Sequence, residues 1–254
     1  MFLLLVLLGP PSSAWAQLKL GSQHRRVVVP DHLEFVVTES EFIVDTLIMD
    51  NRSTLIFEQP FTRVRVGYAR IGKNCKWVGR GMSAGNYERR SMDGKSLDIE
   101  ITFQKLGRLT IDVSGGLGHA GSPGRNGAPG ANGQTLSDGS PGGTGGRGGD
   151  GGAGGNIIFK YRAQGDPVVF TKARKNSVVI RVDGGSGGPG GRGGAGGPGG
   201  IPTQRSYSAN GKEVIENNGQ RGLPGPQGNQ GEAGNKGRPG QLKIVPLPVS
   251  PDGR

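Results

Sequence analysis

The residue types that could do chemistry in this chain are few. Its 254 residues include three histidines and one cysteine, Cys75. Nucleophilic catalysis needs a Cys or Ser held against a base, and a metal centre needs His, Cys, Asp or Glu clustered at ligand spacing. Neither pattern is present, and no pair of acids stands out between residues 17 and 114. Cys75, in Lys73-Asn-Cys-Lys-Trp77, has no partner for an internal disulfide, so a buried thiol is expected, with an intermolecular bridge as the alternative. It does not follow the N-terminal apolar run, so it is not the lipidated cysteine of a lipoprotein signal. Gly145-Gly-Arg-Gly-Gly-Asp150 matches the start of a calcium-binding repeat, but it occurs once and lacks the apolar residue that should come after the Asp. Nominal G-x-G-x-x-G matches are inevitable in such a tract, and the strand–turn–helix context of a nucleotide site is missing. Asn51-Arg52-Ser53 is a lone glycosylation sequon. The expectation is no catalysis, no cofactor and no metal.

Charge and composition narrow the partners. The net charge of +11 invites a nucleic-acid reading, but the basic residues are scattered, aromatics are few and the chain looks secreted. Anionic surface polymers or cell-surface glycans fit better, with self-association as a further option and no nucleic acid. No apolar stretch approaches 18 residues, so no transmembrane segment is expected. Residues 1–16 read as a signal peptide: an apolar run at Phe2–Leu8, a break at Gly9-Pro10-Pro11, and Ala14-Trp15-Ala16 as the cleavage site. The run lacks the usual preceding Lys or Arg. The destination implied is secreted, whether extracellular, cell-surface or periplasmic.

Residues 17–107 read as a β-rich domain. Short β-branched runs recur at Val27–Val29, Phe35–Val37, Phe42–Met49, Ser53–Phe57 and Arg63–Val66, and Ser96–Phe103 alternates apolar and polar with period two. No window keeps a helical period, so essentially no α-helix is expected after the signal peptide. About eight short strands at roughly ten-residue spacing suit a sandwich or a β-helix. The phrases Asp45–Phe57 and Ala69–Gly81 look like coils, so the solenoid-like form is favoured, with an edge on which further chain could continue. The loop Gly81–Lys95, carrying Arg89 and Arg90, reads as solvated.

Glycine dominates the chain from residue 115 onward. Of 51 glycines, 19 lie in 115–155, 12 in 184–200 and 8 in 219–240. Such tracts cannot build an ordinary apolar core. Between 115 and 154 every third residue is Gly except at Leu136, where the linker 134–138 interrupts. The pieces 115–133 and 219–240 are Gly-X-Y, and 139–155 and 184–200 are Gly-Gly-X. A three-residue period implies an extended three-fold helix without internal hydrogen bonds, whose backbone groups need neighbours. Gly-X-Y leaves one bare face and Gly-Gly-X leaves two, which predicts Gly-Gly-X arms inside a bundle and Gly-X-Y arms outside. β-type segments at Arg108–Val113, Asn156–Tyr161, Ser177–Val182 and Gln241–Leu247 bracket two glycine hairpins, and these four can pair where the hairpins begin. The predicted organisation is therefore a bundle with bracketing strands over 108–247 and a tail at 248–254.

These tracts resemble the polyglycine-II bundle domains of some phage tail-fibre adhesins and of the snow-flea antifreeze protein. The whole layout is similar to secreted bacterial collagen-like, glycine-rich proteins. The adhesin resemblance implies that loops at the bundle tip contact a receptor. Here those loops are Gln134, Thr135, Ser137 and Asp138 in the first turn, and 201–218, carrying Arg205, Tyr207, Lys212 and Glu213, in the second. The expected function is a non-enzymatic secreted or cell-surface structural or adhesive protein, with the glycine bundle a stiff scaffold for those loops. A trimeric collagen-like structural protein and an ice-binding protein are the alternatives. Prolines at only 224, 226 and 239 make the last tract short for an independent triple helix.

Overall fold

The computed structural model describes residues 24–84, 92–132, 137–164, 167–171, 176–218 and 221–248. The expected signal peptide, Arg89, Arg90, Gln134, Thr135 and all of the tail after Pro248 lie outside the described residues. Among the described residues there are thirteen strands and no helix. Strands β1 (His24–Val29), β3 (Glu41–Met49), β5 (Phe61–Ile71), β7 (Ser96–Leu106), β9 (Ile157–Ala163) and β13 (Leu242–Pro246) form one sheet in that order. Strands β2 (Glu34–Val37), β4 (Thr54–Phe57), β6 (Cys75–Val78), β8 (Arg108–Asp112) and β10 (Ser177–Arg181) form the second. All neighbours in both sheets are parallel. Through β10 the chain contributes to each sheet in turn and so winds in coils. The boundary expected at 107/108 falls between β7 and β8, but both sheets run through it. The four bracketing strands pair two by two, β8 with β10 and β9 with β13, because alternation places them in different sheets.

Period-two patterning turns alternate, mostly apolar residues of the strands toward the space between the sheets. Parallel register then stacks like on like: Phe42, Val64, Ile99 and Phe159 form one inward row, and Leu55, Trp77 and Ile111 another. All seven are almost fully buried. The Trp77 indole N–H faces Met49 Sδ at 3.1 Å, and its ring meets Phe57 edge-on at 5.9 Å. Cys75 is a free, buried thiol; desolvation pushes its pKa up, which keeps it protonated and unreactive.

The two corners of each coil behave differently. The corner leading into the second sheet stays short in the early coils and repeats one device, a residue in the left-handed region at His32, Arg52 and Asn74. Between β7 and β8 it shrinks to Gly107, where a Cβ would sit 2.2 Å from the Gly72 carbonyl oxygen. The opposite corner lengthens. His24 pairs with Val44, Glu41 with Arg63, Phe61 with Ser96, Leu97 with Ile157, and Ile157 with Leu242. The coils therefore take 20, 22, 35, 60 and 85 residues, and most of the growth lies at that one corner.

The glycine tracts are these enlarged corners. They run out and back as four arms: 115–132, 137–155, 184–200 and 221–240. Every third N–H of the first arm donates to the third, as Gly118 does to Ser186 O and Gly124 to Arg192 O. The second arm donates from one set of glycines to the fourth arm (Gly142 to Pro226 O) and from the other set to the first (Gly143 to Arg125 O). The third arm donates to the second, and the fourth to the third. The two Gly-Gly-X arms thus touch three others each, and the two Gly-X-Y arms touch two. The loop expected to be solvated also takes part. Gly81 N–H donates to Ser114 O, Gly94 N–H to Ala153 O, and Met92 O accepts from Gly116, so its described ends are a short forerunner of the arms.

The outer face of the first sheet is held by charge. Asp98 and Glu100 on β7 lie between Arg65 on β5 and Lys160 and Arg162 on β9, with Arg65–Asp98 at 2.9 Å and Arg162–Glu100 at 3.0 Å. Burial pushes the Asp98 carboxyl up, but the Arg65 hydrogen bond and the charges of Arg65 and Lys160 outweigh it, so its pKa lies below the ordinary 3.8. A folded-state pKa below the unfolded one stabilises fully above the ordinary value and loses that contribution as pH falls through the folded value. Asp98→Asn should cost about 1–2 kcal/mol at pH 7 in denaturant unfolding, and the gap to wild type should close below about pH 4. In the second arm, a Cβ on Gly142 would lie 1.9 Å from Gly194 O, whereas one on Gly143 has nothing nearer than 3.2 Å. Gly142→Ala should therefore destabilise by about 2 kcal/mol or more and Gly143→Ala by under about 1, measured by thermal melting.

Candidate functional site

The far ends of the two glycine hairpins come together. Gly200 N–H donates to Ser137 O at 3.0 Å, and Leu223 N–H donates to Asp138 Oδ1 at 2.7 Å. Register fixes this meeting. Asp138–Leu223, Asp150–Asn235 and Asn156–Gln241 are each separated by 85 residues, the offset between β9 and β13. Asn126–Ala195 and Asn132–Ile201 are separated by 69, the offset of Leu109 and Val178 in β8 and β10. The alignment of the sheets thus persists to the tip. Each of these Asn or Asp oxygens accepts an N–H that would otherwise lack a partner within the bundle. Asp150 in the calcium-like stretch is engaged in the same way. The Asn235 N–H is the main cause of its lowered pKa, and Arg147 pairs with it at 2.8 Å. Among the described residues no group of three or more His, Cys, Asp or Glu could hold a metal ion.

At the tip the chain between the third and fourth arms forms a third sheet, the antiparallel pair β11 (Thr203–Ala209) and β12 (Lys212–Asn218). Asn210 and Gly211, both at positive φ (54° and 73°), make the two-residue turn. Asn-Gly at this spacing is the strongest short-range hairpin signal, and its I′ geometry matches the twist of the strands. Tyr207 pairs with Val214, Ser208 with Glu213, and Ala209 with Lys212. Neither strand joins the two main sheets.

The residues expected at the tip divide by role. Ser137 and Asp138 fasten the arms: Ser137 Oγ accepts the Ala131 N–H at 2.7 Å, and Asp138 holds the fourth arm. Gln134 and Thr135 lie outside the described residues. Arg205 and Tyr207 fall on β11, and Lys212 and Glu213 on β12, so the second turn is a ribbon rather than a loop. Apolar residues absent from the expected set lie on and beside it: Ile201, Ile215 and Leu223 are 51%, 61% and 68% exposed, with Tyr207 of the expected set at 47%. The signal for Ile215 was in the sequence: Val214-Ile215 next to Asn210-Gly211 is strand chemistry.

No family model and no curated protein matches this chain. No helix among the described residues is long and apolar enough to cross a membrane. Among the described residues the tip presents a two-sided, two-stranded ribbon with two open strand edges. A Gly211→Val substitution, forcing a β-branched residue to positive φ, should destabilise the ribbon by about 1–2 kcal/mol and leave the arms intact. Amide exchange should rise across 203–218 while the arms keep their protection.

Proposed function

We propose that this is a non-enzymatic, secreted or cell-surface structural and adhesive protein. In this reading the N-terminal coils are a β-solenoid, the arms are polyglycine-II helices, and the bundle is a stiff stalk that presents the β11–β12 ribbon. One observation carries the reading: an exposed, partly apolar ribbon stands at the end of arms that are hydrogen-bonded to each other along their whole length. Arms of 17 to 20 residues at about 3.1 Å per residue would hold the ribbon some 50–60 Å from the coils. The signal-peptide-like leader supports export, and the +11 charge supports anionic surface polymers or glycans as partners.

The alternatives have less support. A collagen triple helix needs each glycine N–H for another chain, and those of the fourth arm, Gly222 to Gly240, donate within this chain. Ice binding needs a flat, repetitive face, which Arg147, Asp150, Pro189, Arg192 and Pro198 interrupt.

Replacing Ile201–Asn218 by a short Gly-Ser turn should leave the melting temperature of the coils and arms within a few degrees and abolish binding to cells or immobilised glycans. Retained binding by a folded variant would remove the ribbon from the function.

A further inference from the structure

The ribbon is incomplete as a sheet. Two strands alone are marginally stable in water, and three or more with an apolar face are the usual minimum. Among the described residues β12 has β11 on one side and no strand on the other. The two-residue turn makes Ala209 and Lys212 a hydrogen-bonded pair, and such pairs alternate along an antiparallel ladder. Lys212, Val214 and Glu216 therefore direct their backbone groups to β11. Glu213 and Ile215 direct theirs outward, to the open edge.

We propose that this edge binds the β12 edge of a second copy, so that two stalks join tip to tip through one four-stranded antiparallel sheet. The proposal rests on the reading of the ribbon as a displayed adhesive element and names its partner.

The sequence of β12 selects this occupant. A two-fold axis at an open edge can pass only through a residue position, and three registers keep the centre of the strand paired. Centring on Glu216 sets Glu216 opposite its own copy, which like-charge repulsion opposes. Centring on Ile215 sets Val214 opposite Glu216 and leaves Lys212 facing Asn218. Centring on Val214 sets Lys212 opposite Glu216 twice, once on each side of the axis. In that register Glu213 and Ile215 of the two copies exchange their outward N–H and C=O groups, the pattern the open edge requires. Tyr207 and Val214 then continue into Val214 and Tyr207 of the second copy as one row. That row would cover Tyr207, which is otherwise half exposed. Adhesion of this kind is homophilic: surfaces bearing this protein would bind each other.

Sedimentation of the full secreted chain at tens of micromolar should show a monomer–dimer equilibrium. Lys212→Glu and Glu216→Lys should each weaken it about tenfold or more, since each replaces two attractive pairs with two repulsive ones. The double variant should restore it. An equimolar mixture of the two single variants should also form dimers, because one chain is then acidic at both positions and the other basic at both. Ile215→Pro, which removes only an outward N–H, should abolish dimers. A strictly monomeric wild type, or single variants that fail to associate when mixed although each is folded by circular dichroism, would overturn the proposal. If the wild type is monomeric but the Gly-Ser replacement still loses surface binding, the display reading stands and this choice of partner fails.

Discussion

An extended glycine arm has no hydrogen bonds of its own, so every N–H and C=O in it must find a partner on another arm or in water. That constraint decides the rest of the molecule. Arms can satisfy one another only if their three-residue periods are in phase over some 20 residues, and nothing within an arm sets that phase. The coils set it. Because β10 stacks on β8 and β13 on β9 without slippage, the arms that adjoin those strands start in register. The offsets of 69 and 85 at the strands reappear unchanged at Asn132–Ile201 and Asp138–Leu223. The apolar core therefore does more than stabilise the N-terminal half. It acts as the alignment jig for a bundle that has no core.

Glycine content obeys the same constraint. Where an arm is enclosed by three others, two positions in each triplet approach a neighbouring backbone. Where only two others surround it, one position does so, and side chains occupy the faces that point to solvent. In the fourth arm every described non-glycine residue is exposed, including Leu223, Gln227 and Glu232. Side chains on those faces also terminate the bundle, since a further arm could not come close enough to bond. The ion pairs over β5, β7 and β9 act at the base in a similar way. They tie together strands between which the chain makes long insertions.

Much of this was legible in the sequence, and the parts that were not have a common cause. Period two in Ser96–Phe103 and period three in 184–200 are local signals, and local signals survive into structure when neighbouring chain agrees with them. The eight N-terminal strands, the four arms and the absence of helix among the described residues were accessible in that way. Which strand pairs with which is not local. Strands β8 and β9 flank the same glycine hairpin yet belong to different sheets, a consequence of winding that no window of sequence contains. The loop 81–95 looked solvated because it has only Gly81, Gly85 and Gly94, too few to show a period, although its described ends bond to the arms. The ribbon at the tip carried its signal in Asn210-Gly211, and Ser137 and Asp138 looked like contact residues because polar residues at a turn serve equally well as fasteners.

The lengthening corner has a consequence for how such a molecule can vary. Each arm is matched, residue for residue, to the one stacked on it, through Asn or Asp oxygens that reach an N–H one coil away. Inserting a triplet into a single arm would shift every bond beyond it and leave the tip on one side longer than on the other. A shaft of this kind changes length only in whole triplets, and only when all four arms change together. Its reach is in that sense digital, counted in steps of about 9 Å, while the coils beneath it are free to vary in side chain so long as they keep count.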